Sequence, residues 1–326
     1  MRICVFGAGA IGGHVAARLA RGGADVSVVA RGAHLAAMAE RGVTVHAPDG
    51  TFTAKVRASD DPAALGRQDA VIVTMKAPSL PSLAAGIGPL LGPDTPVAFV
   101  MNGVPWWYFQ RHDGPLAGTR LGKLDPDAAV ERAVGLERTV GGTVYSACTV
   151  VEPGVVSSIN KQSRVVLGEL DGSASDRLKA IAAALEAGGM GGVISPDIRK
   201  EVWLKWMGNI ANGPLCILTR RSVADSYTEP ALREAAVALM REGAALARAL
   251  GSPIEVDEQA RLKGAAAMPH KPSILQDLEL GRPMEIDALF TVPQDLARQV
   301  GVPMPTLALL SALGRQTARA AGLYAG

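Results

Sequence analysis

A short apolar run from Arg2 to Phe6 leads into Gly7-Ala8-Gly9-Ala10-Ile11-Gly12, and the residues from Ala10 to Arg21 then read as a helix. No other feature narrows the fold as much. A GxGxxG pattern alone arises easily by chance in a chain with 37 glycines. Set between a buried strand and a helix, it becomes informative. Gly7 permits the tight turn, Gly9 lets a phosphate approach the backbone, and Gly12 lets helix and strand pack closely. The helix N-terminus offers N–H groups and a partial positive charge to an anion. The segment therefore predicts a cradle for a dinucleotide, with Gly7, Ala8, Gly9, Ala10, Ile11 and Gly12 as contacts. A plain tight turn with no ligand is the alternative.

The rest of the first half repeats the alternation of strand and helix. Strands are expected over Asp25 to Ala30, Asp69 to Met75 and Pro96 to Met101, with helices over His34 to Glu40 and Ser79 to Ile87. A hairpin is expected around Pro48-Asp49-Gly50 within Val43 to Val56. Residues 111–138, rich in Gly, Pro and charge, read as a surface excursion. Strands follow over Gly142 to Val151, Gly154 to Ser158 and Arg164 to Leu167, then a helix over Ser175 to Ala187. After Pro196-Asp197 the pattern turns helical to the end, with segments over Arg199 to Asn212, Pro230 to Leu250, Asp257 to Ala267, Ser273 to Leu280, Met284 to Val300 and Thr306 to Ala321. The expected fold is α/β: an N-terminal Rossmann domain, doubly wound with a mainly parallel sheet (1–195), followed by an all-α C-terminal domain (196–326).

Which dinucleotide is taken depends on the end of the second strand. A site for NAD usually carries Asp or Glu there to hold the ribose hydroxyls. Here the strand ends at Ala30 and the next residue is Arg31. A guanidinium suits a 2′-phosphate, which it grips with paired hydrogen bonds. The expected cofactor is NADP(H), against the plain reading of a solvated arginine.

Composition excludes several classes. Net charge is +2 and aromatics are only 4% of the 326 residues, which gives no support for nucleic-acid binding. Cys4, Cys148 and Cys216 form no CxxC pair, and the histidines have no metal-ligand spacing, so no metal site is expected. No apolar stretch reaches the roughly 18–20 residues that span a bilayer. The reading is a cytoplasmic protein with neither membrane nor nucleic acid among its partners. Pairing of the helical domains into a homodimer is left open.

Lys76 and Asn102-Gly103 each follow a predicted strand, where ligands bind in open α/β sheets. In the helical half, Lys205, Asn209 and Asn212 are spaced by four and three and share one helix face, flanked by Trp203 and Trp206. A solvated face has little use for the tryptophans, and a buried one would leave amides and ammonium unpaired. A face lining a cleft answers both objections. Farther on, Ser273 reads as a helix N-cap and Glu285 as a carboxylate in the first turn of the next helix, roles that are sufficient without any function.

Taken together, GAGAIG at 7–12, Arg31, Lys76, Asn102-Gly103, Lys205 with Asn209, and the block from Ser273 to Glu285-Ile286-Asp287 resemble the ketopantoate reductase family over nearly the whole chain. The resemblance implies NADPH-dependent reduction of 2-dehydropantoate (ketopantoate) to pantoate, an oxidoreductase reaction on CH–OH in pantothenate and CoA biosynthesis, with the substrate between the two domains. It implies Lys205 as proton donor and Glu285 as the second catalytic residue, beside the substrate hydroxyl. Asn209 and Ser273 would hold the 2-oxo acid; Asn212, on the same helix face as Lys205, is the candidate substitute for the family asparagine absent at Gly213. Lys76, Asn102 and the backbone of Ala147 would contact the cofactor. The chain departs from the family at Gly213, where an asparagine is usual, and in the Lys271-Pro272 flank. These departures favour, as one alternative, a paralogue acting on another small 2-oxo acid. A non-catalytic NADP(H)-binding redox sensor is the other alternative; it would need neither Lys205 nor Glu285.

Overall fold

The computed structural model describes residues 1–325. It forms two compact units. The first comprises Met1–Met101, Phe109–His112 and Arg120–Ile198; the second comprises Asn102–Tyr108, Asp113–Thr119 and the chain from Arg199 onward. Residues 102–108 and 113–119 thus pack with the second unit although they precede residue 195.

The first unit holds twelve strands: β1 (Arg2–Phe6), β2 (Asp25–Val29), β3 (Val43–Ala47), β4 (Gly50–Ala54), β5 (Arg57–Ser59), β6 (Ala70–Val73), β7 (Val97–Val100), β8 (Thr139–Tyr145), β9 (Cys148–Glu152), β10 (Val155–Ser158), β11 (Arg164–Glu169) and β12 (Gly191–Ile194). Eight form one sheet in the order β12-β11-β8-β7-β6-β1-β2-β5. Every pairing in it is parallel except that of β11 with β8. From β1 the chain winds outward through β2 and β5, then returns to β6 and β7 on the other side of β1. This reversal is the switch point at which open α/β sheets bind ligands. Strands β6 and β7 are buried along their whole length, as parallel strands covered on both faces should be. The helices of this unit are α1 (Ala10–Arg21), α2 (Gly32–Arg41), α3 (Leu80–Gly86), α4 (Ala129–Val134) and α5 (Asp176–Ala187). The expected hairpin is present, with Ala47 opposite Gly50.

Two expectations are corrected. The run Gly142 to Val151 is two strands in different sheets: β8 lies in the eight-stranded sheet, and β9 is the edge of the four-stranded sheet β4-β3-β10-β9. The break falls at Ser146-Ala147, where the Ala147 N–H donates to Asn160 Oδ1 instead of continuing a ladder. Residues 111–138 are also more than a surface excursion. Leu121, Leu124, Val130 and Val134 are buried, and the Asp125 carboxylate accepts from the N–H groups of Val130 and Glu131 at 2.8 and 3.1 Å.

A buried polar chain ties α1 to that break. His14 is fully buried, and its Nδ1 lies 3.2 Å from Ser146 Oγ and 3.3 Å from Cys148 Sγ. Arg18 Nε donates to His14 Nε2 at 3.1 Å and its other nitrogens hold both Asp49 oxygens at 2.7 Å. Because Nε2 accepts, Nδ1 carries the proton and the ring is neutral. Burial first, and the Arg18 charge second, lower the His14 pKa from 6.5 to about 4. The unfolded chain therefore binds this proton more readily than the folded one. Stability from His14 is complete above pH 6.5 and is lost as pH falls toward about 4. At 1.36 kcal/mol per pKa unit, the loss is about 3 kcal/mol. Urea unfolding at neutral pH and near pH 4.5 should show this fall, and His14→Gln should shrink it. An equal fall in the variant would refute the assignment.

The second unit is helical: α6 (starting at Ile198 and running to Thr219), α7 (Val223–Ser226), α8 (Pro230–Ala249), α9 (Glu258–Ala266), α10 (Ser273–Glu279), α11 (Val292–Gln299) and α12 (Pro305–Ala320). A single π turn, Asp287–Thr291, leads into α11. Its core contains Tyr108, Trp203 and Trp206, with successive rings edge-on at 5.6 and 5.2 Å. Trp203 Nε1 donates to the Tyr108 hydroxyl at 2.5 Å, which satisfies the buried indole. Helix α8 passes α6 at Gly243, where a Cβ would come within 2.4 Å of Met207 Cε.

Candidate active site

The glycine loop is built as its spacing predicts. Gly7 has φ +102°, and a Cβ there would meet Met75 Cγ at 2.5 Å, so the loops after β1 and β6 touch at the switch point. A Cβ on Gly12 would sit 2.1 Å from the Gly7 carbonyl oxygen and 2.5 Å from Thr74 Oγ1, which itself donates to that carbonyl at 2.8 Å. At Gly9 a Cβ would meet nothing within 4 Å. The first and third glycines are thus required by the protein's own packing. The middle one faces open space, which a phosphate approaching the backbone needs and packing does not explain. Gly9 is the N-cap of α1; no side chain caps that end, and its first turn carries no acidic residue. Those amides suit the pyrophosphate of a dinucleotide.

Arg31 is exposed at the end of β2, as the N-cap of α2. Lys76 is half-buried after β6, with extended backbone ahead of a short turn at Ala77–Ser79. Ala147 uses its N–H on Asn160 and its carbonyl accepts from the Ile159 N–H at 3.2 Å, so only the second lone pair of that carbonyl is left for a ligand. Asn102 is half-buried and belongs to the second unit. The cause is local. In the π turn the Val292 N–H bonds to Asp287, which frees the Ala288 carbonyl to accept from the Val104 N–H at 3.2 Å. Gly103, φ +78°, allows this approach, since a Cβ would lie 2.4 Å from Ala288 O.

Three segments of the second unit that carry predicted residues pack on one another. Trp206 Nε1 donates to Leu289 O at 2.8 Å, which fixes α6 against the π turn. Leu289 has no donor four residues on because position 293 is proline, so the indole takes that place. Gly213 is buried, and a Cβ there would lie 3.4 Å from both Ile274 and Phe290. On this face of α6, Lys205, Asn209 and Asn212 are each half-buried. Asn209 Nδ2 is buried without a hydrogen-bond partner among the described residues. An orphaned amide of this kind costs about 1–3 kcal/mol unless a ligand satisfies it. Asn212 is held differently: the Tyr227 hydroxyl donates to its Oδ1 at 2.8 Å, which leaves Nδ2 as the donor it presents.

Two residues near this face escaped sequence reasoning. Tyr227 is buried and its pKa is raised by that burial, so it stays a donor. His270 lies near Lys205; burial, and then the Lys205 charge, hold its pKa below the usual histidine value. Neither has a spacing relation to Lys205 that would mark it in the sequence.

Two expected local roles are corrected. Ser273 does not cap α10: Pro272 is the N-cap, and Ser273 is the first helical residue and exposed. Its hydroxyl is therefore not committed to the helix end. Glu285 precedes the helical turn rather than lying in it; its carbonyl accepts from the Leu289 N–H at 3.2 Å, and the residue is only 5% exposed. Among the described residues no His/Cys/Asp/Glu group could hold a metal, and no helix is long and apolar enough to cross a membrane.

Comparison with known proteins shows the family and the fold. Residues 3–172 match the family model described as ketopantoate reductase PanE/ApbA, and residues 197–318 match its C-terminal model. A 2-dehydropantoate 2-reductase from Mesorhizobium japonicum is 41% identical, covering 99% of this chain and all of the relative. A crystal structure of a candidate ketopantoate reductase from Ralstonia solanacearum is similar with TM-score 0.92 and 40% identity, covering 99% of each chain. The 2-dehydropantoate 2-reductase of Geobacter metallireducens gives TM-score 0.85 and 29% identity, over 97% of this chain and 99% of that one. With half the chain matched by the first model and the helical half by the second, the chain belongs to the ketopantoate reductase family.

Proposed function

We propose that this protein reduces ketopantoate to pantoate with NADPH, an oxidoreductase step in pantothenate and CoA biosynthesis. One observation carries the reading: the buried Asn209 amide, one helical turn from Lys205, has no partner among the described residues, as a donor to a polar substrate would in the ligand-free chain.

The cofactor would be held by the amides of the Gly7–Gly12 loop at its pyrophosphate and by Arg31 at its 2′-phosphate, with Lys76, Asn102 and the Ala147 carbonyl toward its nicotinamide end. When bound, NADPH supplies the hydride that C2 of the 2-oxo acid receives. As the carbonyl oxygen gains negative charge, Lys205 stabilises it and transfers a proton from Nζ, which completes the alcohol. Hydride and proton together balance the reduction of C=O to CH–OH. Ser273 Oγ, freed from capping, and the Nδ2 groups of Asn209 and Asn212 are donors for the substrate carboxylate. The Glu285 carboxylate is an acceptor for the substrate hydroxyl. A redox-sensor role would leave this constellation without a purpose.

A second reading keeps the chemistry and changes the substrate. Ile274 and Phe290 crowd Gly213, so this part of the face is apolar where the family usually places an amide. That favours another small 2-oxo acid. NADPH oxidation with a panel of 2-oxo acids separates the two. Ketopantoate should give the highest kcat/KM, and NADPH should serve better than NADH. A higher value for an apolar 2-oxo acid would favour the second reading, and no oxidation with any of them would overturn both.

A further inference from the structure

The family match ends at residue 318, yet the residues beyond it reach back to the segment that carries Glu285. Helix α12 ends at Ala320, and Gly322 takes the left-handed conformation with φ +70°. The Leu323 N–H bonds to Ala318 O at 2.9 Å and the Gly322 N–H to Arg319 O at 2.9 Å, a helix terminus that reverses the chain direction. Two contacts follow from that reversal. The Met284 N–H donates to Leu323 O at 3.3 Å. The Tyr324 hydroxyl donates to Asp287 Oδ1 at 2.7 Å. The Arg319 guanidinium lies 5.7 Å from the centre of the Tyr324 ring and steadies it.

These contacts fall on either side of Glu285. Residues 282–285 belong to no helix or strand, so their backbone groups have no regular ladder to hold them. The Arg282 N–H is tied to Asp277 O at 2.8 Å, and Leu289 bonds to the Glu285 carbonyl. The tail adds a tie at each flank of Glu285, to the backbone of Met284 and to the side chain of Asp287. Carboxylate position matters because a misplacement of about 1 Å in a binding group can cost on the order of 10²-fold in rate.

We propose that Leu323 and Tyr324 form a clamp that positions Glu285 for the 2-oxo acid. The proposal rests on the reading of Glu285 as a substrate-binding carboxylate. Leu323 and Tyr324 are positioning residues, acting through the 284–287 backbone and touching no substrate.

The test compares the full chain with two variants, Tyr324→Phe and a chain ended after Gly322. Hydrogen exchange over residues 281–289 reads the clamp without any need for activity. It should speed up about tenfold in the shortened chain and less in Tyr324→Phe. In steady state, KM for the 2-oxo acid should rise about tenfold in the shortened chain, while kcat falls less and the affinity for NADPH is unchanged. Unchanged exchange would overturn the clamp whatever the activity. Faster exchange with unchanged KM would overturn its role in positioning Glu285. If the full chain reduces no 2-oxo acid, the functional reading falls, and the exchange result still decides whether the tail holds the 281–289 segment.

Discussion

Replacing Lys205 with alanine is expected to slow hydride transfer to the 2-oxo acid by about 10²–10⁴-fold, the usual contribution of a positioned general acid. The reason is electrostatic: charge builds on the ketone oxygen only as the reaction proceeds, so losing the ammonium penalises the transition state more than the bound substrate. NADPH should bind the variant normally, since the glycine loop and Arg31 lie in the first unit and Lys205 in the second. Single-turnover reduction with saturating NADPH measures the step itself. A rate close to that of the unaltered protein would remove Lys205 from the mechanism. Lys205→Arg should not rescue, because a guanidinium does not release a proton at neutral pH and its planar fork differs from a compact ammonium.

The glycine loop should yield a second large effect, with opposite consequences at neighbouring positions. Gly12→Ala places a methyl 2.1 Å from the Gly7 carbonyl oxygen, a backbone atom with no freedom to move away. Overpacking of this kind typically costs about 1–3 kcal/mol, and more where backbone is the obstacle. The melting temperature should fall clearly even without cofactor. Gly9→Val has open space around its Cβ and an N-cap backbone with φ −77° and ψ −154°, which valine tolerates. Its melting temperature should stay near that of the parent, whereas NADPH affinity should drop by at least about a hundredfold, equivalent to about 3 kcal/mol. Calorimetric titration with NADPH beside thermal unfolding of both variants distinguishes these outcomes. Unimpaired NADPH binding by Gly9→Val would mean that the open space beside Gly9 is not the phosphate site.

The contrast between Gly9 and Gly12 also shows which parts of the molecule were legible from residues alone. The glycine roles follow from a strand, a turn and a helix adjacent in sequence, and the Lys205 face follows from helical spacing on α6. Both depend on short-range geometry. The break at Ser146-Ala147 does not, because it is set by His14, 132 residues away from Ser146, and by the side chain of Asn160. Ser273 and Glu285 each lie one step from the helix-end position that their local sequence suggests, for a similar reason. Pro272 took the capping position, and the π turn starts only after Glu285. The buried stretch from Leu121 to Val134 was hidden because its few apolar residues are spread among glycine, proline and charge. Tyr227, which turns the Asn212 amide into a donor, is fifteen residues away across a helix end and a loop, a relation that no periodicity encodes.

A structure of the ternary complex with NADP⁺ and ketopantoate tests the account most directly, through one distance. The reading predicts the Lys205 ammonium nitrogen within hydrogen-bond reach of the substrate's C2 carbonyl oxygen, at about 3 Å. A nitrogen directed into solvent, with another donor on that oxygen, would contradict it.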